Sequence, residues 1–366
     1  MILDSKPNKQ QYSMGYSEIF QERLADVAKQ LQIGKDWEMS YGDFEPITID
    51  DSLQQHIAAM PESDRDLYLA AKLQKYLYEI FSTDAAPDDV NDEVASDSED
   101  EGMANSVRKW SRTKFCQELK ASNHGVGYSD PGWLIGDKVG DRWNASKNGL
   151  TLHIKPRHLA NPDTPLKSGE YVALQMPANE VDRGFYIAVS DRGSVKPSLA
   201  NGKSAILQIY FNITASGALS LLNCFSQEFN KLGVAYSFSL AYNEADFNRI
   251  DAAILEVWDE DFVAISSVIK EVYQKETSSF ASEIPFFCLQ LLPGIGLAQK
   301  PLQPKFKREN IGQHYCGIIA QALIASHQAK LSPTDRYPYL LKHLQRVGVN
   351  LDKIYLNLGF STDYSW

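Results

Sequence analysis

The strand predicted over residues 149–155 ends in a basic cluster of Lys155, Arg157 and His158. Arginine offers a planar fork of donors and lysine a point charge, so together they could bind a phosphate. A solvated basic end without a ligand is the alternative interpretation. Lys147, beside a turn, could be a second phosphate contact or simply a polar turn residue.

Three other side chains, two arginines and a tyrosine, could also bind a ligand or transfer a proton. Arg183 stands directly before a strand predicted at 184–190, and could enter a pocket or pair with a surface aspartate. Arg249 and Asp251 flank one residue and could form an oriented ion pair, which is usually structural. Tyr210 could donate a proton, although a buried tyrosine with a satisfied hydroxyl is commoner.

Two histidines could transfer protons. His314 lies at the predicted start of a helix, where a neutral imidazole could act near physiological pH or only contact the helix terminus. His124 lies in a segment, residues 123–133, that holds three glycines and a proline. That composition predicts a shaped loop, because glycine permits backbone angles that are closed to other residues and proline fixes one.

Residues 147–155 begin with an Asn-Gly turn signal and then alternate in polarity. The alternation separates Leu152 and Ile154 from Thr151, His153 and Lys155. A shaped loop beside a strand with a basic polar face could hold an anionic ligand. A well-made hairpin without a ligand explains the same residues.

The elements that position these residues follow from periodicity. Apolar spacing predicts helices at about 17–33, 51–82 with a break at Met60-Pro61, 105–119, 215–232, 259–276, 315–329 and 334–347. Alternation predicts strands at 149–155, 170–176, 184–190, 205–211, 235–240 and 252–258. The fold class is therefore α+β: a mixed or antiparallel sheet flanked by helices, with an N-terminal helical region and a C-terminal helical cap.

Charged residues are distributed unevenly along the chain. The 366 residues carry a net charge of −11, and nine acids without any Lys or Arg fall within residues 84–102. Without those nine acids the net charge is −2, so general nucleic-acid binding, which needs a basic excess, is not expected. We expect an N-terminal helical region at 1–83, an acidic disordered loop or linker at 84–102 and an α+β domain at 103–366.

Composition excludes several classes of protein. The four cysteines are far apart and form no Cys-x-x-Cys pair, which argues against a zinc site or disulfide scaffold. The N-terminus has no apolar signal core and no apolar run is long enough to span a bilayer, so we expect a cytoplasmic protein without membrane contact. Phosphate-loop, zinc-protease, nucleophile-elbow and protein-kinase signatures are missing as well.

Ordered motifs over roughly residues 65–360 resemble the HopA effector-like family, which includes a plant-pathogen type III effector and many cyanobacterial and actinobacterial proteins. The motifs are those at 123–133 and 147–155 together with Arg183-Gly-Phe-Tyr-Ile-Ala-Val-Ser-Asp191, Ile209-Tyr-Phe-Asn-Ile-Thr214, residues 238–251, Glu283-Ile-Pro-Phe, Pro293-Gly-Ile-Gly-Leu-Ala298 and Gly312-Gln-His-Tyr-Cys316. Two departures are Tyr315, where many relatives carry arginine, and the acidic insertion at 84–102.

The resemblance implies a lyase. Relatives in bacterial pathways to ribosomal peptide products, such as lanthipeptides, eliminate phosphate from phosphoserine or phosphothreonine of a precursor peptide, leaving dehydroalanine or dehydrobutyrine. A separate phosphotransferase-like kinase makes the phosphopeptide, and no metal or organic cofactor is required. The reaction needs a base for the α-proton and cations for the phosphate. We expect Lys155, Arg183, Arg249 and Arg157 around the phosphate, His314 or Lys147 as the base, and Tyr128 or Tyr210 as the proton donor.

Two other functions remain open. An effector-like protein could hold a phosphopeptide or protein partner in the same pocket without cleaving it, since no chemistry follows from a likeness to an effector alone. A cyclase that adds a thiol to a dehydrated residue is the third possibility, against which the missing Cys/His metal site counts weakly.

Overall fold

The computed structural model describes residues 16–34, 36–82, 113–182, 184–195, 204–302 and 309–364. Within these ranges the protein is an α+β fold of helices and antiparallel sheets, which confirms the predicted class. Contacts divide the chain into a helical unit of Met1–Asp88, Phe286–Leu289 and Ala298–Ser365, and a sheet unit of Asp89–Pro285 and Gln290–Leu297. The C-terminal helices thus group with the N-terminal ones, while the domain bounds expected at 83 and 103 stay a prediction.

The helical unit is built around the pairing of two long helices. Its elements are α1 (Tyr16–Gln30), β1 (Gln32–Ile33), β2 (Met39–Ser40), α2 (Asp51–Ala59), α3 (Glu62–Ser82), and two later helices, α7 (Ile311–Gln328) and α8 (Pro333–Arg346). Helix α3 buries Leu69, Leu73 and Leu77 at helical spacing and packs against α7. The predicted break before α3 is present, because α2 ends at Ala59 and proline follows Met60.

The sheet unit contains a seven-stranded antiparallel sheet. Its strands are β7 (Asn179–Asp182), β8 (Phe185–Val189), β9 (Ile206–Phe211), β10 (Tyr236–Ala241), β11 (Ala253–Trp258), β12 (Leu289–Leu292) and β13 (Ile295–Gln299), in the order β12-β13-β9-β11-β10-β8-β7. Helices α5 (Ala215–Leu232) and α6 (Phe262–Lys275) also belong to this unit. Phe225 of α5 packs on Phe211 and Phe238, so α5 covers one face of the sheet.

A second, smaller sheet precedes the large one in the chain. Helix α4 (Lys114–Ser122) leads into strands β3 (Tyr128–Val139), β4 (Arg142–Lys147), β5 (Leu150–Ile154) and β6 (Tyr171–Met176), which lie in the order β5-β4-β3-β6. Its inner face is a core that includes Trp133, Ile135, Ala145, Ile154, Leu159 and Leu174.

The structure corrects the loop that the glycines at 123–133 predicted. Only residues 123–127 form a loop, and strand β3 begins at Tyr128. The Pro131-Gly132 pair lies inside β3, where the register with β6 shifts between Asp130 and Trp133. A β-bulge therefore accommodates the proline and glycine that resemble a turn in the sequence.

Some predictions fall on residues that the structure leaves undescribed. The acidic segment 84–102, the first part of the helix predicted from 105, and Arg183 lie outside the described residues. Among the helices that are described, none combines the length and apolar content that crossing a bilayer requires. In the same ranges, no cluster of three or more His, Cys, Asp or Glu side chains has the arrangement of a metal site.

Candidate functional site

A tight turn fixes which side chains leave the outer face of the small sheet. Asn148 and Gly149 join β4 to β5 with φ angles of 50° and 81°, as a type I′ hairpin turn requires. This register pairs Asn144 with His153 and Trp143 with Ile154. Ile154 is 2% exposed in the inner core, and a one-residue slip would exchange it with its polar neighbours.

His153 consequently lies exposed on the outer face with Asn144 opposite it. The His153 Nδ1 and Asn144 Oδ1 atoms are 2.8 Å apart. Because a carbonyl oxygen only accepts hydrogen bonds, this contact assigns the proton of a neutral imidazole to Nδ1. The Nε2 atom then carries a free lone pair, which is the arrangement of a general base.

Lys155 follows His153 by two positions, at the end of the same strand face. Cα atoms at this spacing are roughly 7 Å apart in a strand. The Lys155 ammonium contacts the Asp141 carboxylate, which holds the pKa of Asp141 below its ordinary value. Both side chains are partly or largely exposed, at 32% for Lys155 and 71% for Asp141, so the pair costs little to separate.

A 3₁₀ turn over Pro156–His158 adds the other basic residues at this end. The Lys155 backbone N–H donates to Nδ1 of His158 at 3.2 Å and holds the turn. Arg157 is exposed, and no carboxylate among the described residues pairs with it. Of the predicted phosphate ligands, the structure therefore brings Lys155 and Arg157 together, beside His153.

Lys147 lies at the opposite end of the hairpin from Lys155. Its ammonium contacts Asp130 Oδ1 at 2.6 Å and the Pro131 carbonyl at 2.7 Å. The second oxygen of Asp130 accepts from the Trp133 indole at 2.8 Å. Lys147 thus ties β4 to the bulge of β3, and its charge already has an anionic partner, which favours the structural interpretation of this residue over a base.

Tyr210 in β9 and Arg249 in the connection between β10 and β11 both contact polar side chains as well. Arg249 makes a bidentate contact with Asp251, with Nε–Oδ1 and Nη2–Oδ2 distances of 2.8 and 2.7 Å. The Tyr210 hydroxyl donates to Gln208 Oε1, and Gln208 Nε2 donates to Glu256 Oε1, each at 3.0 Å. These are the ion pair and the satisfied hydroxyl that the sequence leaves as structural alternatives.

Tyr128 begins β3, six positions before Leu134, the residue that pairs with β4 at Ser146. That is roughly 20 Å of extended strand, so Tyr128 is not brought to His153. Burial, with added repulsion from Glu180 and Asp130, raises the pKa of Tyr128.

His314 lies in the first turn of α7, in the helical unit. Its Nδ1 atom is 3.7 Å from Glu309 Oε2, beyond hydrogen-bond range, and is buried with no hydrogen-bond partner in the described part of the chain. Glu309 accepts from Gln74 Nε2 at 3.0 Å. The neighbouring Tyr315, at the position of the expected arginine, is buried and donates to the Leu356 carbonyl. The role of His314 stays a prediction.

The loop at 123–127 is shaped by its own polar contacts. Asp191 Oδ1 accepts from the backbone N–H groups of Val126 and Gly127, at 2.8 and 3.1 Å. The His124 backbone N–H donates to Ser226 Oγ at 3.0 Å, while the His124 side chain is exposed. These contacts explain the glycine-rich composition without a ligand.

Comparison with known families decides which group of proteins this chain resembles. The pattern described as the HopA1 effector protein family matches residues 176–356. This segment belongs to the HopA1 effector protein family. The recognition made from scattered motifs is thereby confirmed, and the chain is effector-like over the matched segment. Tyr210, Arg249 and His314 lie inside the HopA1 match, whereas the hairpin with His153 and Lys155 precedes it.

Solved structures with some likeness include two effector proteins from Pseudomonas syringae. The one from pathovar tomato strain DC3000 is 13% identical, with a TM-score of 0.42, over 80% of this chain and 96% of that one. The one from pathovar syringae strain 61 is 12% identical, with a TM-score of 0.40, over 81% and 97%. No curated protein matches by sequence.

Proposed function

We propose that the protein is a lyase that eliminates phosphate from phosphoserine or phosphothreonine of a peptide, leaving dehydroalanine or dehydrobutyrine. The observation that carries the proposal is the outer face of the β4–β5 hairpin. There His153, oriented by Asn144, shares a strand face with Lys155, whose carboxylate partner Asp141 is largely exposed. A base and a phosphate ligand at this spacing are what the elimination requires.

In the proposed reaction, Nε2 of His153 takes the α-proton of the phosphorylated residue. The electrons of the broken Cα–H bond form the Cα–Cβ double bond, and the Cβ–O bond breaks to release inorganic phosphate. Lys155 and Arg157 stabilise the negative charge that the departing phosphate gains. Phosphate displaces Asp141 from Lys155, which is a small cost because water screens the attraction in an ion pair whose carboxylate is largely exposed.

The proposal departs from the roles expected from the sequence. The base is His153, whereas Lys147 ties strands together and Arg249 is paired with Asp251. Lys155 and Arg157 keep their expected role as phosphate ligands. A kinase acting on serine or threonine would have to supply the substrate, and the proposed partner is a phosphorylated precursor peptide.

The test is intact-mass analysis of a synthetic phosphothreonine peptide incubated with the purified protein. Elimination removes phosphoric acid and leaves dehydrobutyrine, whereas hydrolysis by a phosphatase leaves threonine, so the two product masses differ by one water. We expect dehydrobutyrine. Threonine as the product, or an unchanged peptide at high protein concentration, would contradict the lyase.

A phosphopeptide-binding protein without catalysis is the second candidate function. It is favoured by the match to an effector family and by the ion pairs that occupy Lys147 and Arg249. The same incubation separates the two, because a binding protein retains the phosphopeptide and leaves its mass unchanged.

A further inference from the structure

Strand β5 is an open edge of the small sheet. It lies at the end of the order β5-β4-β3-β6, and β4 is its one partner strand among the residues that the structure describes. In a two-residue hairpin the pair that flanks the turn, here Lys147 and Leu150, is hydrogen-bonded, and bonded and non-bonded pairs then alternate. Thr151 and His153 fall in non-bonded pairs, so their backbone N–H and C=O groups point away from β4.

No described backbone group meets these outward-facing atoms of Thr151 and His153. The other edge of the small sheet differs, because β6 is covered by a bridge between Leu159 and Leu174. The Ala160 N–H also donates to the Ala173 carbonyl there, at 2.9 Å. Unpaired strand edges accept an additional strand readily.

Charge indicates what kind of strand the β5 edge would accept. Lys155 and Arg157 follow its last residue, and Thr151 and His153 display polar side chains along it. By contrast β7, at an edge of the large sheet, carries the carboxylates of Glu180 and Asp182. A phosphorylated segment is attracted to the basic end of β5.

We propose that a phosphopeptide binds by adding a fifth strand to the small sheet along β5. Neighbouring strands lie about 4.8 Å apart, so a phosphorylated residue on the outer face of the added strand meets the side chain of His153 and points its phosphate toward Lys155. This binding mode rests on the proposed lyase for its substrate. In this mode the protein recognises the backbone of the peptide, and only every second side chain of the peptide contributes to specificity.

The experiment is a backbone N-methyl scan of a short synthetic phosphothreonine peptide with valine-rich flanks. N-methylation removes one amide donor and prevents strand pairing at that position. Methylation at every second residue should weaken binding about tenfold per position, and methylation at the residues between should leave it unchanged. Affinity is measured by calorimetry and elimination by intact mass.

The same binding mode is also tested by substituting Thr151 in the protein. Thr151→Pro removes an outward N–H at an edge position where proline is tolerated, and should weaken binding about tenfold. Thr151→Val keeps the N–H and the strand preference, so it should bind as the wild type does. Circular dichroism of both variants verifies that the fold is retained.

The outcomes separate the two proposals. Elimination of the unmethylated peptide without a period-two methylation pattern overturns strand addition and leaves the lyase standing. Period-two binding without elimination overturns the lyase and supports strand addition. If the methylation pattern is absent and Thr151→Pro instead dissolves a dimer of the chain, the edge is an interface between copies and strand addition is wrong.

Discussion

At the residue scale, the cations named from the sequence differ in what already holds them. Lys147 has two close oxygen partners and Arg249 a bidentate one, while Lys155 shares an exposed contact with Asp141. An incoming phosphate competes with far less at Lys155 than at the other two. The proposed site therefore includes Lys155 because an incoming phosphate can reach its charge, and not merely because a cation is present there.

Asn144 provides a test of how His153 is oriented. Asn144→Asp places a carboxylate where the amide oxygen now accepts from the ring. The added negative charge favours the protonated imidazole, which is inactive as a base. The acid limb of the pH–rate profile should therefore move to higher pH, by up to about one unit.

Asn144→Ala is the companion variant, and it should lower kcat about tenfold with little change in KM, because it removes orientation without charge. An unshifted acid limb in Asn144→Asp would show that His153 is not the group whose protonation limits the rate.

The contact between Lys155 and Asp141 can be tested through the pKa of the Asp141 carboxyl. The ammonium lowers the pKa of the Asp141 carboxyl, so the ion pair stabilises the fold above the ordinary pKa of 3.8 and is lost as pH falls through the depressed value. In Lys155→Ala the Asp141 carboxyl resonance should titrate at a higher pH than in the wild type.

Lys167→Ala serves as the control, because Lys167 pairs with Glu170 on the surface of the same unit. If the Asp141 midpoint is the same in Lys155→Ala and in wild type, the ion pair is not formed in solution.

At the element scale, the site depends on the register of the β4–β5 hairpin. Alternation predicts β5 and its outward face from the sequence, and all six predicted strands are present. Strand β3 was missed because Pro131 and Gly132 resemble a turn, although they form a bulge. The partners of the cations were missed with it, since Asp130 and Asp141 lie in and beside strands that local periodicity does not reveal.

His153 illustrates the same limit. The sequence places it on the polar face of β5, but Asn144 becomes its partner only through the register of a hairpin whose first strand was not predicted. A pattern within one strand can predict which way a side chain points. It cannot predict the group that lies across from it.

Gly127 tests the loop at this scale. Its φ is +86°, and a Cβ there would lie 2.1 Å from the Met176 carbonyl oxygen. Gly127→Ala combines left-handed strain with a backbone clash, and should lower the free energy of unfolding by about 2–4 kcal/mol in urea titrations.

Gly169→Ala is the matched control for that variant. Gly169 has nearly the same φ, +87°, with open space around its Cα. Gly169→Ala should lower the free energy of unfolding only through left-handed backbone strain, by about 1–2 kcal/mol. Equal losses in the two variants would show that the loop does not pack against β6 as described.

At the scale of the whole molecule, buried tyrosines set the response to alkali. Burial raises the pKa of Tyr186 to about 12, and its hydroxyl accepts from Asn123 Nδ2 at 3.0 Å. A phenol with a raised pKa contributes stability that is fully present below the ordinary value of 10.0 and is lost as pH rises toward the folded value.

The free energy of unfolding should therefore fall between about pH 10 and pH 12. Tyr186→Phe should flatten that fall, whereas Tyr171→Phe, at a 72% exposed residue, should leave it unchanged. An identical pH dependence in wild type and Tyr186→Phe would mean that Tyr186 is accessible to water.

The proposed mechanism requires His153 to remove the α-proton in a phosphate elimination. The most direct measurement compares wild type and His153→Gln on one phosphothreonine peptide by intact mass, with His56→Gln, at an exposed histidine of α2, as the control. We predict dehydrobutyrine from the wild type and the control, and a loss of at least about 100-fold in rate with His153→Gln. Dehydrobutyrine formed at the wild-type rate by His153→Gln would show that His153 is not the base.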